Sequence, residues 1–549
     1  VEQRVLEPAV LALAGGLVVC VVAPPEIVGS GFAALGFLIA LAAIATAATA
    51  SSRPSSRWVF AAIPVALAAG RMGIAPGEAV EPVVTMLLAA TAGIAAAASS
   101  RRDETIARLF AVLVAFVGGR ALYETIWGLP SWAARVRESA PTTTDGLALL
   151  TRLEQGRPYG GFLTPAALGC FLILAVPPVA MWAIGKRGKL RALGLSAAVL
   201  GAAALAATRS LSALGALAGA IALCGLRGRV RPRVVAAAAA AIGLVILCVG
   251  LLRADAVFSP AAGDSPWRLR GGNVRIALQI AREHPLAGVG PGGYAEAFPQ
   301  YRRSGDNESR HAHNLPSELA ADWGVPIGLA LSAVFFLAFA GPLFRWSGDA
   351  KTFGFGLSVG LSAFALHNLA DFTAFLPSLL VFAAVSRGLL AQYVPPERAH
   401  HGLRAAWITV ASGLALLAAG SGLARDALFD AKQAGAAGAH AAAVRLAKRA
   451  TRLAPWDADP PQVAAFARLA VGGDLAGALA DADRAVTRAP SRAAARVVRA
   501  RARGAGGDGA GAFADLAEAA RLYPMSSDYA LQRDSLAEAL GKAREGAPR

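Results

Sequence analysis

The chain has 549 residues, of which 56% are hydrophobic and only 16% charged, and its mean hydropathy is positive. A typical soluble protein is about 45–50% apolar and about 25% charged, so this chain lacks the charge to cover several soluble domains. That excludes an ordinary cytosolic enzyme, a disordered chain and a disulfide scaffold, and it points to a polytopic membrane protein.

Thirteen apolar runs are long enough to read as spanning helices: about 8–24, 29–50, 58–75, 79–98, 106–128, 162–184, 190–208, 210–226, 234–252, 317–344, 353–371, 376–394 and 404–423. A span needs about 20 mostly apolar residues, and the hydrocarbon core tolerates no loose backbone groups. The first run reads as a span rather than a removable signal because no small-residue cleavage site follows it. Abundant Ala and Gly permit close helix approach. Cys20, Cys170, Cys224 and Cys248 are isolated within apolar runs and have no metal-ligand spacing.

The net charge of +17 sits largely in short loops, which topology explains better than nucleic acid does. Arg53 and Arg57, Arg101 and Arg102, Lys186 to Arg191, Arg227 to Arg233, and Arg398 with Arg404 each follow an even-numbered span. Short basic loops face the cytoplasm, so the N-terminus is expected there. Two long loops, about 129–161 and 253–316, are then expected outside, as is everything after about residue 424.

Several cations stand on that outer side, where topology alone would leave few. Arg120 lies inside the fifth span with Tyr123 and Glu124 one turn on; Arg157 precedes the sixth; Arg209 stands in the turn Thr208-Arg209-Ser210. Cations in apolar spans are costly and tend to mark function, and guanidinium groups match phosphate oxygens. An ion pair or a snorkelling side chain accounts for any one of them equally well. Several on one face favour a phosphate-bearing, lipid-linked substrate.

The second outer loop carries the most chemistry. Residues 273–283 suit a short amphipathic helix, and Gly288-Val289-Gly290-Pro291-Gly292-Gly293 must be a loop whose N–H groups could hold an anion. Next comes His311-Ala312-His313-Asn314, with Glu318 on the following helix. Histidine transfers protons near neutral pH, and an imidazole on an arginine-lined face stays neutral, as a general base must. The alternative is a surface His pair. No third metal ligand is evident, so no metal or other cofactor is assigned. His367 and Asp371 are four apart and share a helix face near the outer end of the eleventh span, as a structural pair or as part of a cavity wall.

From residue 424 the chain turns amphipathic and Ala/Arg-rich. The phrases Ala450 to Pro455, Ala485 to Pro490 and Ala519 to Pro524 recur at spacings of 35 and 34. A closing proline at that period resembles the tetratricopeptide repeat, a stack of helical hairpins that binds partners. A generic Ala-rich helical bundle is the other reading.

Four stretches resemble the O-antigen ligase and O-antigen polymerase family of bacterial envelope glycosyltransferases. They are Gly160-Gly161-Phe162-Leu163-Thr164-Pro165, Thr208-Arg209-Ser210, the run from Arg270 through Gly292, and His313-Asn314 with Glu318 and Gly324. The resemblance covers about 155–395; Thr164 stands where that family often has Asn.

The resemblance implies an all-α, GT-C-like polytopic membrane protein of 12–13 spans. Residues 1–423 would be the transferase domain, with the external loop at 253–316, and 424–549 a periplasmic repeat tail. It implies metal-independent, inverting transfer of a glycan from an undecaprenyl-diphosphate carrier to lipid A core or another envelope acceptor, at the outer face of the inner membrane. His313, Arg209 and Arg270 would be catalytic, with Arg157, His311, Asn314, Glu318, Arg120 and Asp371 binding substrate around them. Partners would be the lipid-linked donor, the acceptor, membrane lipids and a protein held by the tail, with no nucleic acid. The competing readings are an O-antigen polymerase, a protein O-oligosaccharyltransferase and, outside enzymes, an envelope-assembly scaffold or a transporter.

Overall fold

The computed structural model describes residues 7–49, 79–99, 103–139, 142–226, 232–252, 266–349, 351–393 and 404–545. Within them the protein is all-α, with no strand. The helices are α1 (Pro8–Val22), α2 (Gly29–Thr49), α3 (Val80–Ala98), α4 (Asp103–Tyr123), α5 (Leu129–Glu138), α6 (Thr144–Glu154), α7 (Pro165–Ile184), α8 (Gly188–Ala207), α9 (Leu211–Leu226), α10 (Pro232–Leu252), α11 (Pro266–Glu283), α12 (Tyr294–Tyr301), α13 (Leu315–Trp323), α14 (Val325–Phe339), α15 (Gly341–Arg345), α16 (Phe353–His367), α17 (Pro377–Ala391) and α18 (Arg404–Ala436). The tail adds α19 (His440–Leu453), α20 (Asp459–Val471), α21 (Leu475–Arg488), α22 (Ala493–Ala505), α23 (Gly509–Leu522) and α24 (Ser527–Glu545).

Among the described residues, six helices are long and apolar enough to cross a membrane: Gly29–Thr46, Val80–Ala98, Glu104–Glu138, Pro165–Ile184, Gly188–Ala207 and Ile408–Ala436. Six shorter apolar helices occupy the other described runs. The expected third span, 58–75, and the basic residues Arg53, Arg57, Arg101, Arg102, Arg227, Arg229, Arg231 and Arg398 lie outside the described residues.

Two expected boundaries shift. The run expected at 317–344 is broken at Gly324, where φ is +78°. A Cβ there would stand 2.5 Å from the Leu286 carbonyl, so only glycine allows the chain to pass. The apolar helix therefore starts at Val325, and α13 precedes it as a separate element. The expected boundary at 423/424 falls inside α18, which runs unbroken to Ala436.

The chain divides into two compact units. One contains Val1–Ala62, Thr85–Ser265 and Ala333–Ala415; the other contains Ile63–Val84, Pro266–Ser332 and Leu416–Arg549.

In the first unit, α7 is the central helix and packs on α4, α8, α9 and α16. Small residues set its spacing from α16. A Cβ on Gly360 would lie 2.3 Å from the Leu174 carbonyl oxygen, and one on Gly356 would lie 2.3 Å from Pro178 Cα. Such backbone approach lets dispersion and weak backbone contacts replace the hydrophobic effect that lipid does not supply. Phe110 of α4 meets Phe353 of α16 and Phe382 of α17, with ring centroids 5.3 and 5.0 Å apart, and Phe382 meets Phe171 of α7 at 5.2 Å. These tilted and edge-on contacts key four helices together.

In the second unit the segment from α11 to α13 folds around one apolar cluster that includes Ile276, Ile280, Tyr294, Phe298 and Ala312. The amphipathic helix expected at 273–283 begins earlier, at Pro266, a residue suited to the first helical turn, so Arg270 lies on helix. In the tail, the prolines expected to close helices do so: α19, α21 and α23 end at Leu453, Arg488 and Leu522, two residues before Pro455, Pro490 and Pro524.

The tail's repeat extends to side chains that the sequence phrases do not contain. Asp474 and Asp508, 34 apart, cap α21 and α23 by accepting from Gly477 and Gly511 N–H groups. Asp481 and Asp515, also 34 apart, are 4% and 2% exposed. Arg468 pairs with Asp481 at 2.9 Å, and Arg499 and Arg503 pair with Asp515 at 2.6 and 3.0 Å.

Candidate active site

The candidate residues divide between the units: Arg120, Arg157, Arg209 and Asp371 in the first, Arg270, His311, His313, Asn314 and Glu318 in the second.

In the first unit, Arg209 occupies the tight turn between α8 and α9 with φ +49°. The turn is fastened from three sides. Thr208 Oγ1 donates to the Leu205 carbonyl at 2.7 Å and accepts from Ser210 N at 3.2 Å. Arg157 Nε donates to the Thr208 carbonyl at 2.8 Å, while Arg209 Nη1 donates back to the Gln155 carbonyl at 3.2 Å. The two arginines thus clasp each other's loops. Behind them runs a buried polar chain: Ser210 Oγ to Ser212 Oγ at 3.1 Å, Ser212 Oγ to His367 Nε2 at 3.2 Å, and His367 Nδ1 to Thr373 Oγ1 at 3.1 Å.

His367 and Asp371 were expected as a structural pair or a cavity wall. They are 0% and 1% exposed and 4.0 Å apart, and His367 supports the Arg209 turn from within. Asp371 accepts from Phe372 N at 2.9 Å.

Arg120 and Glu124 clamp the other loop of this unit. Arg120 Nε donates to Glu124 at 3.1 Å, and Glu124 Oε2 accepts from Tyr159 and Gly160 N–H at 2.9 and 2.8 Å. A Cβ on Gly161 would meet Arg120 Nη1 at 2.7 Å, so the guanidinium lies flat against that glycine. Thr164 caps α7 by accepting from Ala167 N at 3.0 Å, a task that Thr and Asn side chains share.

In the second unit, the His turn is held by carboxylates from α13. Glu318, 3% exposed, accepts from the Ala312 N–H at 2.7 Å and meets His311 Nδ1 at 2.7 Å. His313 is half-buried, and its backbone is at φ +55°. Asn314 caps α13 by accepting from Ser317 N at 3.0 Å. Arg270 is half-buried on α11, three residues before Asn273 and seven before Ala277, which share its face.

One turn beyond Glu318, Asp322 accepts from Gly292 N at 2.9 Å and Tyr294 N at 2.8 Å. Burial, with Glu318's charge nearby, pushes this carboxyl well above the usual carboxylate range. Val289 and Gly290 N–H groups go to the Ala321 and Asp322 carbonyls at 2.9 and 2.8 Å. This corrects the anion-binding expectation for the glycine run, because these four donors are satisfied by α13.

Sequence reading missed Asp322, Ser212 and Asn273. Asn273 is 1% exposed, and its side-chain oxygen has no protein partner. An unmade bond there is costly. Nothing in the sequence marks Asn273 apart from its place on α11 between Arg270 and Ile276.

Among the described residues, Arg209 and His313 are the non-glycine residues with positive φ. L-residues reach that region at a cost of about 1–3 kcal/mol, and such residues concentrate at functional sites. The chain is thus a polytopic helical membrane protein whose strained cation and strained imidazole sit on braced loops. Residues 196–333, about a quarter of the chain, match the family described as O-Antigen ligase. The segment contains Arg209, Arg270, His311, His313, Asn314 and Glu318, while Arg120, Arg157 and Asp371 lie outside it. The match supports glycan transfer of the ligase or polymerase type. No curated protein matches the chain.

Proposed function

We propose that the protein transfers a glycan from an undecaprenyl-diphosphate carrier to lipid A core at the outer face of a bacterial inner membrane, with inversion and without a metal. The observation that carries this reading is the left-handed backbone at Arg209 and His313: the fold keeps a local cost at the two positions where the chemistry asks for a cation and a base. The distribution of basic loops supports the orientation.

In the proposed reaction an acceptor hydroxyl attacks the anomeric carbon from the face opposite the diphosphate. The new C–O bond forms as the sugar–phosphate bond breaks, and its electron pair leaves with the diphosphate. The hydroxyl proton passes to the His313 imidazole. Arg209 and Arg270 neutralise the charge growing on the diphosphate, which fixed guanidinium groups do without reorganisation. Glu318 orients His311 beside His313. Arg157 holds the Arg209 turn, Arg120 holds the loop at Gly161, and Asp371 lies beside His367. The tail is proposed as a tetratricopeptide-like domain on the same side of the membrane as the loop.

A deletion strain tests this. Free lipid A core together with long carrier-linked polymer is the expected glycan profile. Single-repeat caps would make the protein a polymerase, and an unglycosylated envelope protein would make it an oligosaccharyltransferase. A wild-type profile would end the enzyme reading.

A further inference from the structure

The turns of the tail share one geometry and differ in what they carry. Ala454, Ala489 and Tyr523 are the C-caps of α19, α21 and α23, with φ of −128°, −134° and −136°. Three residues on, Asp457, Arg492 and Ser526 each donate a backbone N–H to the C-cap carbonyl at 3.1 Å. The backbone of the turn is thus indifferent to its side chains. Two of those side chains nevertheless reach the external loop of the same unit.

Arg492 donates from Nη2 and Nε to Glu296 in the first turn of α12, at 2.7 and 3.1 Å, and from Nη1 to Asp459. The Arg492 and Glu296 side chains are 12% and 13% exposed. Tyr523 replaces the alanine found at the other two C-caps. The Arg302 guanidinium, just past the end of α12, lies over its ring at 5.6 Å from the centroid and donates to its hydroxyl. That hydroxyl also meets Glu308. Arg302 further donates to the Asp306 carbonyl at 3.0 Å, and Asp306 holds Arg275 of α11 at 2.5 Å.

The tail therefore grips α12 at both ends. The other face of α12, with Tyr294, Ala297 and Phe298, packs into the cluster that contains Ala312, the residue between the two histidines. Buried arginine–carboxylate contacts are a weak source of net stability but costly to break singly, which suits them to fixing register.

The geometry points to the enzyme's own external loop as the tail's ligand: Arg492 and Tyr523 are positioning residues that hold α12 and, through Ala312, the His311–His313 turn. The kinetic half of this inference rests on the glycan-transfer reading; the structural half does not.

The test uses full-length protein in detergent and lipid-linked glycan extracted from the deletion strain. Arg492→Glu is expected to raise hydrogen exchange at amides 294–314 about tenfold while α19–α24 stay protected. It should lower kcat roughly 10- to 100-fold with little change in KM for the extracted donor. Glu296→Arg in the same chain should restore both. If Arg492→Glu does not accumulate, Arg492→Lys and Tyr523→Phe, which keep charge and ring, carry the same measurement with smaller shifts of the same sign. Unchanged loop exchange and kcat, or losses that the double variant does not restore, overturn the inference. A wild-type glycan profile in the deletion strain removes the glycan reading, and the exchange result then decides the docking alone.

Discussion

The turns at Arg209 and His313 hold a residue in the same unfavourable backbone region with different materials. At Arg209 the fastening ends on hydroxyls, a ring and carbonyls: the hydroxyls of Thr208, Ser210 and Ser212, the His367 ring, and two carbonyls that receive the Arg157 and Arg209 guanidiniums. At His313 the fastening is ionic: Glu318 grips both the imidazole and the backbone of the preceding residues, and Asp322 ties the glycine loop to the same helix. A left-handed non-glycine persists only where its surroundings over-determine it. The comparison teaches that the turn between two apolar helices achieves this with several bonds to hydroxyls and carbonyls, while the histidine loop uses fewer bonds that end on carboxylates.

The sharpest way to break the comparison is to remove the side chains while keeping the turns. His313→Gly relieves the backbone cost and should raise stability by about 1 kcal/mol, whereas Arg209→Gly also loses the bond to the Gln155 carbonyl and should stay near wild-type stability; each should lower transfer about 100-fold or more. Melting temperature and glycan profile read the two effects separately. A glycine variant that still transfers would show that the strain serves folding and not chemistry. Next, His311→Ala should lower transfer less than His313→Ala does, by roughly tenfold. Equal losses would move the base to the carboxylate-bound imidazole.

Glu318→Ala leaves the buried Ala312 N–H without its acceptor and should destabilise the loop by about 1–3 kcal/mol. Glu318→Gln keeps an acceptor for that N–H and should recover most of the stability but not the rate. Ser212→Ala cuts the bonds to Ser210 and His367 and should cost about 1–2 kcal/mol, with transfer within a few-fold of wild type.

The tail gives the smallest and most physical test. Burial and the neighbouring Asp459 push the Asp457 carboxyl up to about 6, against about 3.9 in an unfolded chain. The folded tail thus binds an extra proton between those values. Its contribution is complete below about pH 4 and is lost as pH rises through about 6, so stability falls across that window. For this mostly buried carboxyl the change is about 2 kcal/mol. Asp457→Asn should flatten it, as thermal melts at pH 4 and pH 7 would reveal.

Much of the fold was legible. Hydropathy located the apolar helices because lipid enforces length and composition locally, and the prolines at 455, 490 and 524 marked helix ends because a proline ring cannot continue one. The break at Gly324 was hidden inside an apolar run, since hydropathy is blind to φ. Arg209 stood out as a cation at the end of an apolar run and His313 as one of two imidazoles just before one; Asp322 and Ser212 did not, because their significance lies in partners 30 and 155 residues away.

What the chain determined by itself is therefore whatever depends on neighbours within a turn or a span: apolar length, basic loops, the 34-residue period and the histidine pair. What only the tertiary structure decided is which polar atoms answer one another. Glu318 goes to His311, the glycine donors go to α13, and Arg492 goes to Glu296. Hydrogen bonds act over about 3 Å and are indifferent to sequence separation, so no local pattern contains them.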